Sequence, residues 1–74
     1  MEYVIVEFEG SRTVYLDGTE SGTTNRIIRV GPGMHEFDLG MPLDYYPRQK
    51  RIAIQNTNSL EPATIHFDHL PRHE

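Results

Sequence analysis

The four histidines are the side chains best suited to chemistry, because imidazole binds metals and transfers protons near neutral pH. Three of them, His66, His69 and His73, lie close together near the C-terminus. An odd offset along a strand places His66 and His69 on opposite faces, so they converge only if the strand ends before His69. His35 shares an apolar strand face with Phe37, which predicts a buried, hydrogen-bonded imidazole. We therefore expect no native metal site and no cofactor.

Nucleophilic catalysis needs a nucleophile, a base and an orienting group in one cleft. The serines, Ser11, Ser21 and Ser59, lie in turn-like segments, and no activating motif surrounds them. Carboxylates are paired at positions 7 and 9 and at positions 36 and 38, but this spacing is typical of the solvent face of a strand. A domain of this size also lacks the volume for a deep, water-excluding pocket. The sequence therefore predicts a protein that is not an enzyme.

The segment Gly31-Pro32-Gly33 resembles a phosphate-binding loop in composition only. Such loops lead into a helix whose N-terminus holds the anion, whereas the residues after Gly33 alternate like a strand. We interpret the segment as a hairpin turn between Val30 and His35.

A chain of 74 residues without cysteine has room for one domain and one small core. Neither a disulfide nor a zinc site built on thiolates can stabilise it. Stability must then come from packing, from backbone hydrogen bonds or from association with another chain. The last of these favours a protein partner, either a second copy of the chain or a larger host protein.

Charge and hydropathy exclude several classes of partner. The net charge is −4, and the only local basic cluster, Arg48, Lys50 and Arg51, is too small to follow a phosphate backbone, so we expect no nucleic acid. No apolar stretch approaches the roughly 20 residues that span a bilayer, so we expect no membrane insertion. The first residues lack the basic start of a signal peptide. As written, the chain is predicted to be cytoplasmic; an excised domain would belong to the cell envelope or the extracellular space.

Alternation of apolar and polar residues with period two dominates the chain and predicts strands. Six segments show it: residues 3–9, 13–17, 27–30, 34–39, 51–55 and 63–68. Turn-forming residues separate them, and no window has the spacing of an amphipathic helix. We predict a small all-β, immunoglobulin-like antiparallel β-sandwich of about six to seven strands over residues 1–70, with a flexible tail over residues 71–74.

Two surfaces are candidates for binding a partner. In the first, residues 41–47, two prolines separate the apolar side chains Met41, Leu43, Tyr45 and Tyr46. This loop either forms a contact surface or folds over one end of the core, and one tyrosine can do each. The second is the first strand, which carries Tyr3 and Ile5 on its more polar face. Such an apolar edge is covered either by a partner or by the chain's own last strand, residues 61–68.

Three runs carry a resemblance to a known family: Val14-Tyr15-Leu16-Asp17-Gly18, then Gly22-Thr23-Thr24, then Gly33-Met34-His35-Glu36-Phe37-Asp38-Leu39. Together they resemble the PEGA domain family, although Glu9-Gly10-Ser11-Arg12 replaces the tetrapeptide that names it. The same strands predict a hairpin at Asp17-Gly18. The apolar faces of the predicted strands together predict a core made of Val14, Leu16, His35, Phe37, Leu39, Ile52, Ile54, Ile65 and Phe67.

The resemblance implies a small immunoglobulin-like or carboxypeptidase-regulatory-like β-sandwich. Such domains are typically non-catalytic modules of larger bacterial and archaeal proteins, often at the cell surface. We therefore expect a non-catalytic protein-interaction or structural module that associates with itself or with another protein. The alternative is a carbohydrate or cell-wall ligand-binding module that stacks sugars on Tyr45 and Tyr46.

Overall fold

A computed structural model describes residues 1–70, which form strands and connecting segments. The predicted all-β class is confirmed, and no helix in this part of the chain has the length and apolar character needed to cross a membrane. The predicted tail, residues 71–74, lies outside the described residues, and His73 with it. The strands are β1 (Glu2–Glu7), β2 (Thr13–Leu16), β3 (Thr19–Thr23), β4 (Ile27–Val30), β5 (Gly33–Asp38), β6 (Tyr45–Tyr46), β7 (Lys50–Ile54), β8 (Ala63–His66) and β9 (Asp68–His69).

The nine strands exceed the six to seven predicted because three of them carry no local signal. β3 is polar and contains Gly22, which weakens a strand pattern. β6 and β9 are only two residues long and are defined by pairing with each other. Periodicity cannot reveal a strand that short.

The strands form three sheets with the orders β4-β1-β8, β3-β2-β5-β7 and β6-β9. β1 pairs antiparallel with β4 and parallel with β8, so the expectation of a purely antiparallel fold is wrong at this pair. A parallel pair needs a long connection between its strands. Here that connection contains the whole four-stranded sheet.

Two tight turns were predicted to be hairpins, and the structure confirms one prediction and contradicts the other. Asp17 and Gly18 have φ of 51° and 84°, as a two-residue type I′ hairpin requires, and they join β2 to β3 in one sheet. The segment from Gly31 to Gly33 joins β4 to β5, which lie in different sheets, so the hairpin prediction there is wrong. Turn residues indicate that the chain changes direction, but not which strand it then pairs with.

One hydrophobic core receives side chains from all three sheets. Six predicted core residues are confirmed as buried: Val14, Phe37, Leu39, Ile54, Ile65 and Phe67. Leu16, Ile52 and His35 are only half-buried at its margin. Val4 and Val6 from the central strand β1 are fully buried, as is Tyr45 from β6. Aromatic side chains from β6 and from the chain beside β8 thus close one end of the core.

Candidate interaction surface

Residues 41–47, between β5 and β7, form a segment that we call the contact loop. Three of its side chains are exposed: Met41 by 79%, Leu43 by 42% and Tyr46 by 64%. The peptide bonds before its two prolines are both cis. Leu70, also exposed, donates its backbone N–H to the carbonyl of Asp44 at 2.8 Å. Half of the large exposed apolar side chains among residues 1–70 thus belong to the contact loop or to the residue bonded to it.

Tyr45 has the opposite role and is only 3% exposed. Its ring meets Phe67 edge-on, with centroids 5.5 Å apart, and Phe8 edge-on at 6.3 Å. Its hydroxyl accepts the backbone N–H of Leu39 at 3.2 Å. Tyr45 is therefore a core residue, and the prediction that it belongs to a contact surface or a sugar-stacking platform is wrong. Its neighbour Tyr46 points outward, as expected for adjacent residues on a strand.

Arg12 holds the contact loop in place, with a side chain that is only 15% exposed. One guanidinium nitrogen pairs with the carboxylate of Asp44. The other donates to the carbonyl oxygens of Leu39 at 3.2 Å, Gly40 at 3.4 Å and Pro42 at 2.9 Å. A guanidinium suits this position because its planar fork of donors can bind a carboxylate and several carbonyls at once.

The Arg12 guanidinium also packs on the aromatic end of the core. Its Cζ lies 5.7 Å from the ring centroid of Phe8 and 5.4 Å from that of Tyr45. Sequence analysis did not single out Arg12, because its partners lie 27 to 32 positions away and follow no spacing. The only sequence signal for this role was the position of Arg12 between the turn residues Gly10-Ser11 and Asp17-Gly18.

Asp44 is the charged group of the contact loop. The hydrogen bond from Arg12 holds the pKa of its carboxyl below the ordinary value, so Asp44 is ionised at neutral pH. Nε2 of His69 lies 3.6 Å from its second oxygen, and Tyr45 pairs with His69 in the β6–β9 ladder. The charge of Asp44 is therefore balanced within the fold, and the outward side chains of the loop are apolar.

Tyr3 and Ile5 lie on β1, which was predicted to be an exposed edge. That prediction is wrong, because β1 is paired on both sides. Val4 and Val6 lie opposite Ala63 and Ile65 of β8, so the expected alternative, covering by the chain's own last strand, is confirmed. Both Tyr3 and Ile5 are half-buried. Their backbone groups have no free edge to offer a partner.

The histidines near the end of β8 do not converge. Nε2 of His66 lies 2.8 Å from Asp68, whereas Nδ1 of His69 lies 2.8 Å from the carbonyl of Leu70. Within residues 1–70 no group of three or more metal-binding side chains comes together. Ser21, predicted in a turn, lies in β3 and donates its hydroxyl to the Thr19 carbonyl.

His35 lies beside an open cleft of about 380 Å³ lined by Asp17, Met34, His35, Glu36 and Arg51. Its two ring nitrogens face Asp17 and the carbonyl of Gly31, both hydrogen-bond acceptors. The hydrogen bond to Asp17, followed by that to Gly31, raises the pKa of His35 above its ordinary value. Both ring nitrogens thus face acceptors, and no serine or threonine lines the cleft.

Comparison with family models, with curated proteins and with solved structures gave no match to this chain. The proposals that follow therefore rest on its residues and their geometry.

Proposed function

We propose that this chain is a non-catalytic protein-interaction domain that binds its partner through the contact loop. The observation that carries this proposal is the combination of a fixed backbone with exposed apolar side chains. Arg12 binds Asp44 and the carbonyls of Gly40 and Pro42, while Met41 and Tyr46 remain exposed. A loop that is already held in one conformation loses less conformational freedom on binding. Methionine and tyrosine are also enriched at protein interfaces.

A second copy of the chain is the first partner to test. The domain is small and has no disulfide, so association would add buried apolar area to a core of limited size. Each copy carries a net charge of −4, but the one carboxylate of the contact loop is paired with Arg12. Two contact loops can therefore meet without two unpaired negative charges between them.

The same proposal includes the domain class, a PEGA-like small β-sandwich with an immunoglobulin-like arrangement. It is supported by the type I′ turn at Asp17 and Gly18 and by the burial of Phe37 and Leu39 in the strand after Gly33. Side chains from both larger sheets also meet in one core. These are the turn and core positions on which the resemblance to the family rests.

The alternative of a carbohydrate or cell-wall ligand site has less support. Sugars stack on exposed aromatic faces, and of Tyr45 and Tyr46 only Tyr46 offers one. A single exposed ring favours neither ligand, whereas the neighbouring Met41 and Leu43 favour an apolar protein surface.

Solution mass across a wide concentration range, measured by sedimentation or light scattering, tests the proposal. We expect a dimer whose dissociation constant rises at least about tenfold in Tyr46→Ala, because truncation of an interface aromatic commonly costs more than 1 kcal/mol. The matched control is Leu60→Ala, since Leu60 is the most exposed large apolar side chain of residues 1–70 and lies outside the contact loop.

Two outcomes would contradict the proposal. A monomer at all concentrations would exclude the second copy as partner, and binding of glycans by that monomer, lost in Tyr46→Ala, would establish the carbohydrate alternative. An equal loss of association in Leu60→Ala and Tyr46→Ala would remove the contact loop as the interface.

A further inference from the structure

The four-stranded sheet has two edges of different character. At one edge, the pairing of β2 with β3 shifts register between Val14 and Tyr15, an irregularity that discourages the addition of another strand. At the other edge, β7 pairs with β5 through five consecutive residues without a shift. Within residues 1–70 no strand pairs with the outer side of β7.

The direction of the backbone groups of β7 follows from its neighbours. The Glu36 carbonyl accepts the N–H of Asp17 at 2.8 Å, so the backbone polar groups of Glu36 face β2. Those of His35 therefore face β7 and pair with Ile52, which lies opposite. By the same alternation, the N–H and C=O groups of Arg51 and Ala53 point away from the sheet. Among residues 1–70, no backbone partner thus faces the N–H and C=O groups of Arg51 and Ala53 at the outer side of β7.

Positive charge is concentrated at this edge. Three of the seven basic residues of the chain, Arg48, Lys50 and Arg51, lie within four positions. Arg48 and Arg51 are exposed, and the Lys50 ammonium lies 5.8 Å from the ring centroid of Phe67. None of the ion pairs formed among residues 1–70 involves these three cations. Glu36 lies opposite Arg51 in the β5–β7 ladder, so three cations stand against one directly opposed carboxylate and positive charge still prevails along β7. More distant carboxylates of the domain, beyond about 8–10 Å, are screened in physiological salt.

We propose that the outer edge of β7 binds an extended acidic segment of another protein, which adds to the four-stranded sheet as a further strand. The backbone groups of Arg51 and Ala53 would supply the ladder, and Arg48 and Arg51 would select carboxylates. An antiparallel pair of two β7 strands would bring the same cations of both copies to one edge, which disfavours a second copy. This surface is separate from the contact loop and does not depend on it.

Two short synthetic peptides test the proposal, one alternating threonine with glutamate and the other threonine with lysine. Binding is followed by amide NMR spectra of the isotope-labelled protein. We expect the acidic peptide to shift the amide signals of Lys50–Ile54, and the basic peptide to leave them unchanged. A backbone-methylated acidic peptide, which cannot form a ladder, should not bind.

Matched variants separate the edge from general charge. Arg51→Glu should weaken the acidic peptide at least about tenfold, as expected when a close opposite charge becomes a like charge. Arg29→Glu makes the same change at an exposed position on β4 of the other sheet and should not alter binding. Ala53→Pro removes an outward N–H but no ladder bond, so it should fold and lose binding. Tyr46→Ala should bind the peptide normally, which separates this test from that of the contact loop.

Four results would overturn the proposal. They are no shift with the acidic peptide, equal binding of the acidic and basic peptides, and undiminished binding by a folded Ala53→Pro variant. The fourth is a shift of the β7 amides with protein concentration alone, because a second copy would then occupy the edge.

Discussion

Nδ1 of His35 lies 2.8 Å from Oδ2 of Asp17, and this pair joins β5 to the turn that follows β2. Nε2 of the same ring lies 2.7 Å from the carbonyl oxygen of Gly31, which follows β4 in the other sheet. Both neighbours are acceptors, so only the doubly protonated imidazole can donate to both. The second oxygen of Asp17 accepts the N–H of Glu36 at 2.9 Å. Protonated His35 therefore links the connecting segments of two sheets.

Stability should fall as the pH rises through the native pKa of His35. The hydrogen bonds to Asp17 and Gly31 raise that pKa in the folded protein, whereas the pKa of the same imidazole in the unfolded chain is about 6.5. The contribution of His35 is fully present below the unfolded pKa and is lost as the pH passes the higher native value. In the wild type, the urea concentration at the unfolding midpoint should decline as the pH rises from the unfolded to the native pKa of His35. The other charged groups of the cleft beside His35 and Asp17 are Glu36 and Arg51, and both are left unchanged in the variant used as the control.

The control for this titration is His35→Gln, which lacks the titrating ring. Its midpoint should lie below that of the wild type in mild acid, and the gap should narrow as the pH rises. Asp17 acts in the opposite sense, because its hydrogen bond with His35 lowers its pKa. Its contribution is present above the unfolded value of about 3.9 and is lost as the pH falls. Parallel profiles for His35→Gln and the wild type would contradict the role of His35.

Replacement of Arg12 by methionine should loosen the contact loop while keeping most of the side chain's apolar volume. The loss of the charge-assisted hydrogen bonds to the carbonyls of Leu39, Gly40 and Pro42 predicts a fall in the free energy of unfolding of about 2–3 kcal/mol. Hydrogen exchange at the Leu70 amide, which donates to Asp44, should accelerate. Arg29→Met at an exposed position should change stability by less than about 0.5 kcal/mol. Equal effects of the two variants would mean that Arg12 does not hold the loop.

Gly40→Ala should be destabilising at the entry to the contact loop. Gly40 has φ of +67°, and an added Cβ would lie 2.6 Å from Cε1 of Tyr15. The left-handed backbone and the crowding together predict a loss of about 2–4 kcal/mol. Gly31→Ala is the matched control, because a Cβ there meets no atom within 4 Å and its φ is not positive. Thermal unfolding of both variants tests this, and a Gly40→Ala protein as stable as Gly31→Ala would refute the close approach.

The two adjacent tyrosines should respond differently to loss of the hydroxyl. Tyr45→Phe leaves the buried N–H of Leu39 without its acceptor and should cost about 1–3 kcal/mol. Tyr46→Phe removes an exposed hydroxyl and should change stability by less than about 0.5 kcal/mol. Chemical denaturation of the pair measures the difference. Equal stabilities would show that the Leu39 amide finds another partner.

Local patterns predicted much of the fold. Alternation identified β1, β2, β4, β5, β7 and β8, and the Asp17-Gly18 pair identified a true hairpin. The same alternation identified Phe37, Ile54 and Ile65 as core residues. The missed elements have a common cause. β6 and β9 are two residues long, and β3 is polar, so each exists only through its pairing with a distant or adjacent strand.

The candidate surface was predicted in part. Residues 41–47 were predicted to be a contact surface or a core plug; Tyr45 is buried in the core, whereas Tyr46 is exposed and its contact role stays a prediction. Tyr3 and Ile5 were assigned to an exposed edge, because the sequence contains no information on the neighbours of β1. Arg12 was missed because its carbonyl partners follow β5 in the chain, whereas Arg12 precedes β2. The two segments come together only in the folded protein.

By itself, the sequence determined the all-β class and the side of each long strand that faces the core. Both follow from residues one or two positions apart, whose side chains the pleat of a strand places on opposite or equal faces. Only the tertiary structure decided that β1 is a central strand with a parallel neighbour, that Arg12 holds the contact loop and that His35 lies between two acceptors. Those arrangements depend on contacts between residues far apart in the chain, and no local spacing encodes them.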